Sequence, residues 1–283
     1  MSQIKNYPKL DTEKIAFGTY RFGENTHNAK AEIDVLKFAF DQGIRIFDTA
    51  PLYSEGNAES LLGKAIHKNR DDVFLISKIN PWDNNLKKTL LFCEQSLRRL
   101  QTDYIDLYLI HWRGPVPLAE SFYAMEKLKE SGKIGAWGVS NFDIPDISES
   151  LQDKNSLGIS ANQILFNPIR RYPENQLITT CSQNNIKILA YSPFERDRYF
   201  PFEKLESLCH QYQCTAHALV LAWIMQKNTI PIFQSKSLAH IERNLKCKDL
   251  YITPEDVFII DSIFPTSNVP SLERDDHLIR TSN

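Results

Sequence analysis

Four side chains of this sequence carry the chemistry that can be read first: Asp48 and Tyr53 in RIFDTAPLY, Lys78 at the end of FLISK, and His111 at the end of LYLIH. Singly, each has a plainer explanation, as a turn cap, loop packing, a solvated amine or a satisfied core histidine. Together they make a proton-donating set. A phenol with a pKa near 10 gives up its proton reluctantly, but an ammonium beside it favours the phenolate. Lys78 can supply that charge to Tyr53, and Asp48 can hold Lys78 charged and oriented. A neutral His111 can donate a hydrogen bond to a substrate oxygen on which negative charge develops. Such a site suits carbonyl reduction and requires a hydride source. No GxGxxG follows a strand and no GxxxxGK[ST] occurs, so a Rossmann or P-loop nucleotide site is not expected. No HxH or HExxH spacing predicts a metal.

The four residues lie far apart in the chain, so the elements that carry them must bring them together. Short apolar, β-rich runs recur at Lys14–Gly18, Ile44–Asp48, Val73–Lys78, Ile105–His111, Ile134–Ser140, Ile159–Gln163, Ile186–Tyr191 and Thr229–Ile232. Between them lie helical stripes, among them Leu36 with Phe40, Leu90, Leu91, Leu97 and Leu100, and Phe122, Met125 and Leu128. Asp41-Gln42-Gly43 and Ser131-Gly132-Lys133 place a glycine just past a helix and just before a strand. The alternation predicts an α/β fold, one (β/α)8 TIM barrel over residues 1–283. Phe202–Gln213 and Thr215–Gln226 are read as extra helices before the eighth strand, and another helix is expected near the C-terminus. A short polar tail should follow about residue 265. Catalytic groups of such a barrel stand at the C-terminal strand ends, which is where Asp48, Lys78 and His111 fall.

With 283 residues, 42% hydrophobic, and a net charge of −2, the chain has no bulk positive field for nucleic acid or anionic lipid. The longest apolar run, Ala218–Met225, is too short to span a bilayer, and the charged N-terminus does not read as a signal peptide. Five scattered cysteines without a CxxC argue against a disulfide framework and for the reducing cytoplasm. The expected partner is a small molecule, and the chain is read as a monomer.

Several ordered segments resemble the aldo-keto reductase family over most of the chain. DTAPLYSEGNAESLLGKAI, FLISKI, DYIDLYLIHW, KLKESGKIGAWGVSNF, ANQI and LAYSPF each look like one of its motifs. The resemblance implies an NADP(H)-dependent reductase with the tetrad Asp48, Tyr53, Lys78 and His111. It implies further that Gly18, Thr19 and Tyr20 lie beside the cofactor, that Ser140, Asn141 and Gln163 bind the nicotinamide carboxamide, and that Tyr191 stacks on its ring. Ser192, Phe194 and the loop Glu195–Arg198 would follow the pyrophosphate. After the last strand, Gln234 stands where the family commonly has lysine or glycine. Ser235, Lys236, His240 and Arg243, with Asn244, would instead surround the adenosine 2′-phosphate. Trp112-Arg113 replaces the frequent Trp-Pro.

Tyr20, Trp82, Trp112 and Phe142 are candidates for the pocket wall, and Arg113 for attracting an anionic substrate. The look of SKINPWD, HWRG and NQILFNP is similar to bacterial members that reduce methylglyoxal, so small aldehydes or α-dicarbonyls are the expected substrates. Two other readings stay open. Lys78 could form a Schiff base in a lyase, or the chain could be a non-catalytic nucleotide-binding subunit.

Overall fold

A computed structural model describes residues 10, 12–80, 82, 85–153, 158–195 and 200–266. Eight parallel strands close into a barrel in sequence order: β1 (Ala16–Gly18), β2 (Ile46–Asp48), β3 (Phe74–Ile79), β4 (Ile105–Ile110), β5 (Ile134–Ser140), β6 (Ile159–Leu165), β7 (Lys187–Tyr191) and β8 (Thr229–Phe233). The helices among the described residues are α1 (Ala29–Asp41), α2 (Asn57–Ile66), α3 (Leu86–Leu100), α4 (Leu118–Glu130), α5 (Ile144–Ser150), α6 (Leu177–Gln183), α7 (Glu206–Gln211), α8 (Ala216–Gln226), α9 (Leu238–Leu245) and α10 (Pro254–Ile263). The expected barrel and its additional helices are present. The first two strands begin later than their apolar runs, at Ala16 and Ile46, while β6 continues to Leu165. The polar tail expected beyond about residue 265 lies almost wholly outside the described residues.

Strand periodicity explains the two cores. Every second residue faces the barrel axis, and Ala16, Ile46, Ile76, Leu107, Leu109, Ala161, Leu189, Ile230 and Ile232 form one buried cluster there. The intervening residues, such as Phe17, Phe47, Leu75, Tyr108 and Val139, belong to the larger cluster beneath the helices. The stripes of α1, α3 and α4 supply its other side, through Leu36, Leu97, Leu100, Phe122, Met125 and Leu128. Leu91 departs from its expected place. It stands on the outer face of α3, 49% exposed, and Cys93 takes the inward position.

Five helices return to the next element through the same turn. At the ends of α1, α3, α4, α6 and α7, residues Gly43, Gln101, Gly132, Asn185 and Gln213 adopt left-handed backbone with φ of 86°, 55°, 74°, 57° and 50°. The amide after each bonds back across the turn: Ile44 to Ala39 O, Thr102 to Leu97 O, Lys133 to Leu128 O, Ile186 to Cys181 O and Cys214 to Cys209 O. This is the Schellman termination, which satisfies orphan carbonyls and brings the residues at the two ends of the long bond together. The glycines at 43 and 132 are where the left-handed geometry costs least.

Candidate active site

The pleat that buries the barrel axis also assembles the site. Two residues beyond the inward-facing Ile46, Ile76, Leu109, Ala161 and Leu189, the same face presents Asp48, Lys78, His111, Gln163 and Tyr191. Neighbouring strands stay in register, Ile46 opposite Phe74 and Lys78 opposite Leu109, so these polar residues gather at one mouth. Tyr53 reaches it from the loop after β2. The backbone there makes a tight reversal, with Ser54 and Glu55 at φ 51° and 56° and Gly56 at 85°.

Lys78 is the hub. Its Nζ donates to Asp48 Oδ1 at 2.7 Å and Oδ2 at 2.9 Å, to the Thr49 carbonyl at 2.9 Å, and to Tyr53 Oη at 3.2 Å. Lys78 is fully buried and Asp48 only 3% exposed. Burial pulls the amine toward its neutral form, but the charge of Asp48, the neighbouring phenol and the hydrogen bonds to both outweigh it. The Lys78 pKa therefore lies above the usual 10.5. Lys78 enters the site as a cation.

The His111 ring stands 6.1 Å from that of Tyr53 and packs against Trp112 at 4.4 Å. Tyr20 meets Tyr53 edge-on at 5.4 Å, and Trp82 meets Trp112 at 5.6 Å. Of the four residues expected to wall a pocket, Tyr20 flanks the phenol, Trp112 flanks His111, and Trp82 follows behind Trp112. Phe142 does not join them. It is fully buried in the layer between barrel and helices, and its carbonyl accepts from Asn162 Nδ2 at 2.9 Å. The next inward position after Ser140 falls beyond the strand, so Phe142 follows the helix-facing side.

The residues at and just beyond the ends of β5, β6 and β7 form a second set. Gln163 Nε2 donates to Asp48 Oδ1 at 2.7 Å, an unforeseen link that ties this set to the tetrad across 115 positions of chain. Ser140 Oγ donates to the Gln163 carbonyl at 2.9 Å. Asn141, at φ 59°, donates to the His111 carbonyl at 3.1 Å and accepts from Tyr191 Oη at 2.7 Å. Ser192 is also left-handed, at φ 52°. Asn167, which the motifs did not single out, donates to Ser192 O and Glu195 Oε1, each at 2.8 Å, and so holds the turn after β7. Of the loop Glu195–Arg198, residues 196–198 lie outside the described residues. Gly18 is paired with Asp48, and the amide of Thr19 donates to the Asp48 carbonyl at 2.9 Å, placing β1 beside the tetrad.

A cleft of about 170 Å³ opens over the loops after β7 and β8, lined by Phe194, Thr215, His217, Gln234, Ser235, His240, Arg243 and Asn244. Thr215 and His217 went unrecognised in the sequence, although Thr215 is the side-chain cap of α8, accepting from Ala218 N at 3.2 Å. His217 stacks on Phe202 at 4.2 Å. Burial first, then the nearby His240 and Arg243, pushes its pKa below the usual 6.5. Lys236 is absent from this lining. Its Nζ bonds the buried Glu32 Oε1 at 2.6 Å and the Arg21 carbonyl at 2.8 Å. Glu32 in turn accepts from Gly23 N at 2.7 Å.

Arg113 is likewise engaged. Nη1 meets Asp146 at 2.8 Å and Glu149 at 2.7 Å, and Nη2 meets Glu149 at 2.9 Å. Two carboxylates of α5 more than offset its charge. Arg113→Ala is therefore expected to change KM for a carboxylate-bearing aldehyde and for a neutral one alike, each by less than about threefold, as befits a partly exposed ion pair. A selective rise for the anionic substrate would show that Arg113 reaches it. Among the described residues no cluster of His, Cys, Asp and Glu could hold a metal ion, and no helix is long and apolar enough to cross a membrane.

Comparison with known proteins adds independent information. Residues 14–264 match the model of the Aldo/keto reductase family. Methylglyoxal reductase YeaE of Escherichia coli is 34% identical over 257 residues, 89% of this chain and 90% of the relative. Glyoxal reductase of Bacillus subtilis is 31% identical, over 83% of this chain and 84% of its own length. Among solved structures, an aldo/keto reductase from Klebsiella pneumoniae in complex with NADP and acetate superposes with a TM-score of 0.86 at 35% identity, covering 90% of this chain and 92% of that one.

Proposed function

The chain belongs to the aldo/keto reductase family, and from that premise we propose that it reduces small aldehydes and α-dicarbonyls to alcohols with NADPH, Tyr53 giving the proton. The observation that carries this reading is the contact of one buried ammonium, Lys78, with both the Asp48 carboxylate and the Tyr53 hydroxyl. The relatives named as methylglyoxal and glyoxal reductases support the substrate class.

The residues present fit a dinucleotide. Ser140, Asn141 and Gln163 concentrate amide and hydroxyl groups beside the tetrad, and the cleft over β7 and β8 carries Arg243, His240 and Ser235, a donor set suited to phosphate. Ser140, Asn141 and Gln163 would hold the nicotinamide carboxamide, Tyr191 its ring, Gly18, Thr19 and Tyr20 its flank, and Ser192 and Phe194 the pyrophosphate. Bound NADPH supplies the hydride. The protein's own part is orientation and proton transfer. A carbonyl oxygen seated against Tyr53 Oη and the His111 imidazole meets two donors where negative charge grows. As Tyr53 releases its proton to that oxygen, Lys78 stabilises the phenolate left behind, and Asp48 keeps the ammonium in place. Tyr20, Trp82 and Trp112 would supply an apolar surround for a small carbonyl in its unhydrated form.

Lys78 is charged and committed to four acceptor atoms, so it has no available lone pair with which to form a Schiff base. The geometry thus disfavours the lyase reading. Mixing the protein with NADPH and then methylglyoxal or glyoxal should consume NADPH only when the carbonyl is present. Quenching of protein fluorescence by NADPH with no turnover across an aldehyde panel would instead establish the non-catalytic nucleotide-binding reading.

Arg243 and His240 are assigned to the 2′-phosphate together with Ser235, Asn244 and a Lys236 that must first leave Glu32. Arg243→Ala should raise the Kd for NADPH about tenfold, the loss of about 1.4 kcal/mol expected for one charge-assisted contact, with the Kd for NADH unchanged. Lys236→Ala should act more weakly on the difference between the two. A larger NADPH-selective effect at Lys236 would transfer the main phosphate role to it.

A further inference from the structure

The termination of α7 places two thiols side by side. Cys214 N donates to Cys209 O at 3.1 Å and Gln213 N to His210 O at 3.3 Å, with Gln213 left-handed at φ 50°. In this motif the side chains at the ends of the longer bond meet. At α1 those residues are Ala39 and Ile44, and at α6 they are Cys181 and Ile186, in each case buried in the core. At α7 both are cysteines, standing at the two ends of the 3.1 Å backbone bond. Both are half-buried, whereas Cys93, Cys181 and Cys247 are buried.

We propose that Cys209 and Cys214 are a redox modification site that closes into a reversible intramolecular disulfide. The oxidant is a low-molecular-weight disulfide such as glutathione disulfide. One cysteine thiolate attacks a glutathione sulfur, breaking that S–S bond, expelling one glutathione thiolate and leaving a mixed disulfide. The second cysteine thiolate attacks the protein sulfur of that mixed disulfide, forming the internal bond and expelling the second glutathione thiolate. The two cysteines are oxidised together, one glutathione disulfide is reduced to two thiols, and both cysteine protons end on glutathione. The Schellman turn supplies the proximity that the second step requires, because a backbone hydrogen bond of 3.1 Å joins the two residues and the turn brings its end side chains together. Burial pushes the Cys209 thiol up and the Cys214 thiol up to about 11, which makes thiolate scarce and the reaction slow. The bond would lie immediately before Thr215, the cap of α8, which lines the cleft together with His217. It would therefore staple the turn that delivers that wall.

The test uses the full native chain incubated with excess glutathione disulfide and then digested with trypsin without reductant. Lys204 and Lys227 bound one peptide, Leu205–Lys227, that holds both cysteines and no internal lysine or arginine. The expected product is that peptide lighter by two hydrogen atoms, restored by dithiothreitol, with Cys93, Cys181 and Cys247 still reduced. Cys209→Ser and Cys214→Ser should each stop at a stable glutathione adduct on the remaining cysteine. Adducts on both cysteines of the native chain without the internal bond would overturn the proposal. So would oxidation that appears only after denaturation.

Discussion

Replacing Tyr53 with phenylalanine should lower kcat for methylglyoxal reduction by about 10² to 10⁴, the worth of a positioned general acid, while the Kd for NADPH stays within about twofold of the parent. The change removes one oxygen and keeps the ring. The edge-on contacts with Tyr20 at 5.4 Å and His111 at 6.1 Å survive, and Lys78 retains Asp48 and the Thr49 carbonyl. The variant should therefore fold and bind as before and fail in the chemical step. Steady-state turnover together with fluorescence titration separates the two quantities. Full activity in the phenylalanine variant would remove the phenol from the mechanism, and a parallel loss of NADPH binding would mean that Tyr53 shapes the cofactor site instead.

Lys78→Met should abolish measurable reduction and also cost about 3–5 kcal/mol of stability, because it strands the Asp48 carboxylate in a site only 3% exposed. Gln163 Nε2 still reaches Asp48 in that variant, but one amide cannot replace an ammonium that meets both carboxylate oxygens. A second substitution keeps stability and chemistry apart. Asp48→Asn combined with Lys78→Met removes the stranded charge and should recover most of the lost stability without recovering turnover, as replacing both members of a buried pair is far milder than removing one. Chemical denaturation of the parent and both variants, with turnover assayed well below each midpoint, decides it. Equal instability of the single and double variants would show that the cost comes from lost packing around the lysine stem. The pH dependence has a definite sign. Lys78 titrates above its usual 10.5 in the folded chain. Its contribution to stability is accordingly fully present below that value and is lost only as the pH rises through the folded-state pKa. The Lys78 ammonium therefore contributes no change in stability across neutral pH.

Much of this site is legible in the residues themselves. Asp48, Lys78 and His111 each end a run of alternating or continuous β-forming residues, and in a barrel that position is the mouth. The motif order around Ser140, Gln163 and Tyr191 carries the same kind of information. The interior strand pleat supplies the physical link: a residue two places beyond a core residue faces the same way. Glycines at 43 and 132 likewise announce two helix ends from the sequence. The equivalent turns at Gln101 and Gln213 carry no such sign, because left-handed backbone at those residues is stabilised by the hydrogen bonds of the turn rather than by residue type.

What could not be read in the chain is which polar atoms meet. Phe142 and Trp112 are both aromatic residues just after strands, yet one enters the helix-facing core and the other flanks the site. Lys236 and Arg243 are both cations after β8, yet Lys236 turns to Glu32, 204 residues away, and Arg243 lines the cleft. Gln163 reaches Asp48 across 115 residues, and Cys209 meets Cys214 because a single turn folds back on itself. The barrel, its mouth and the four candidate residues of the tetrad are legible in the chain, since these follow from local periodicity and residue type. The pairing of long, flexible or charged side chains emerges on folding, since it depends on which buried partner lies within about 3 Å, a distance that separation along the chain does not encode.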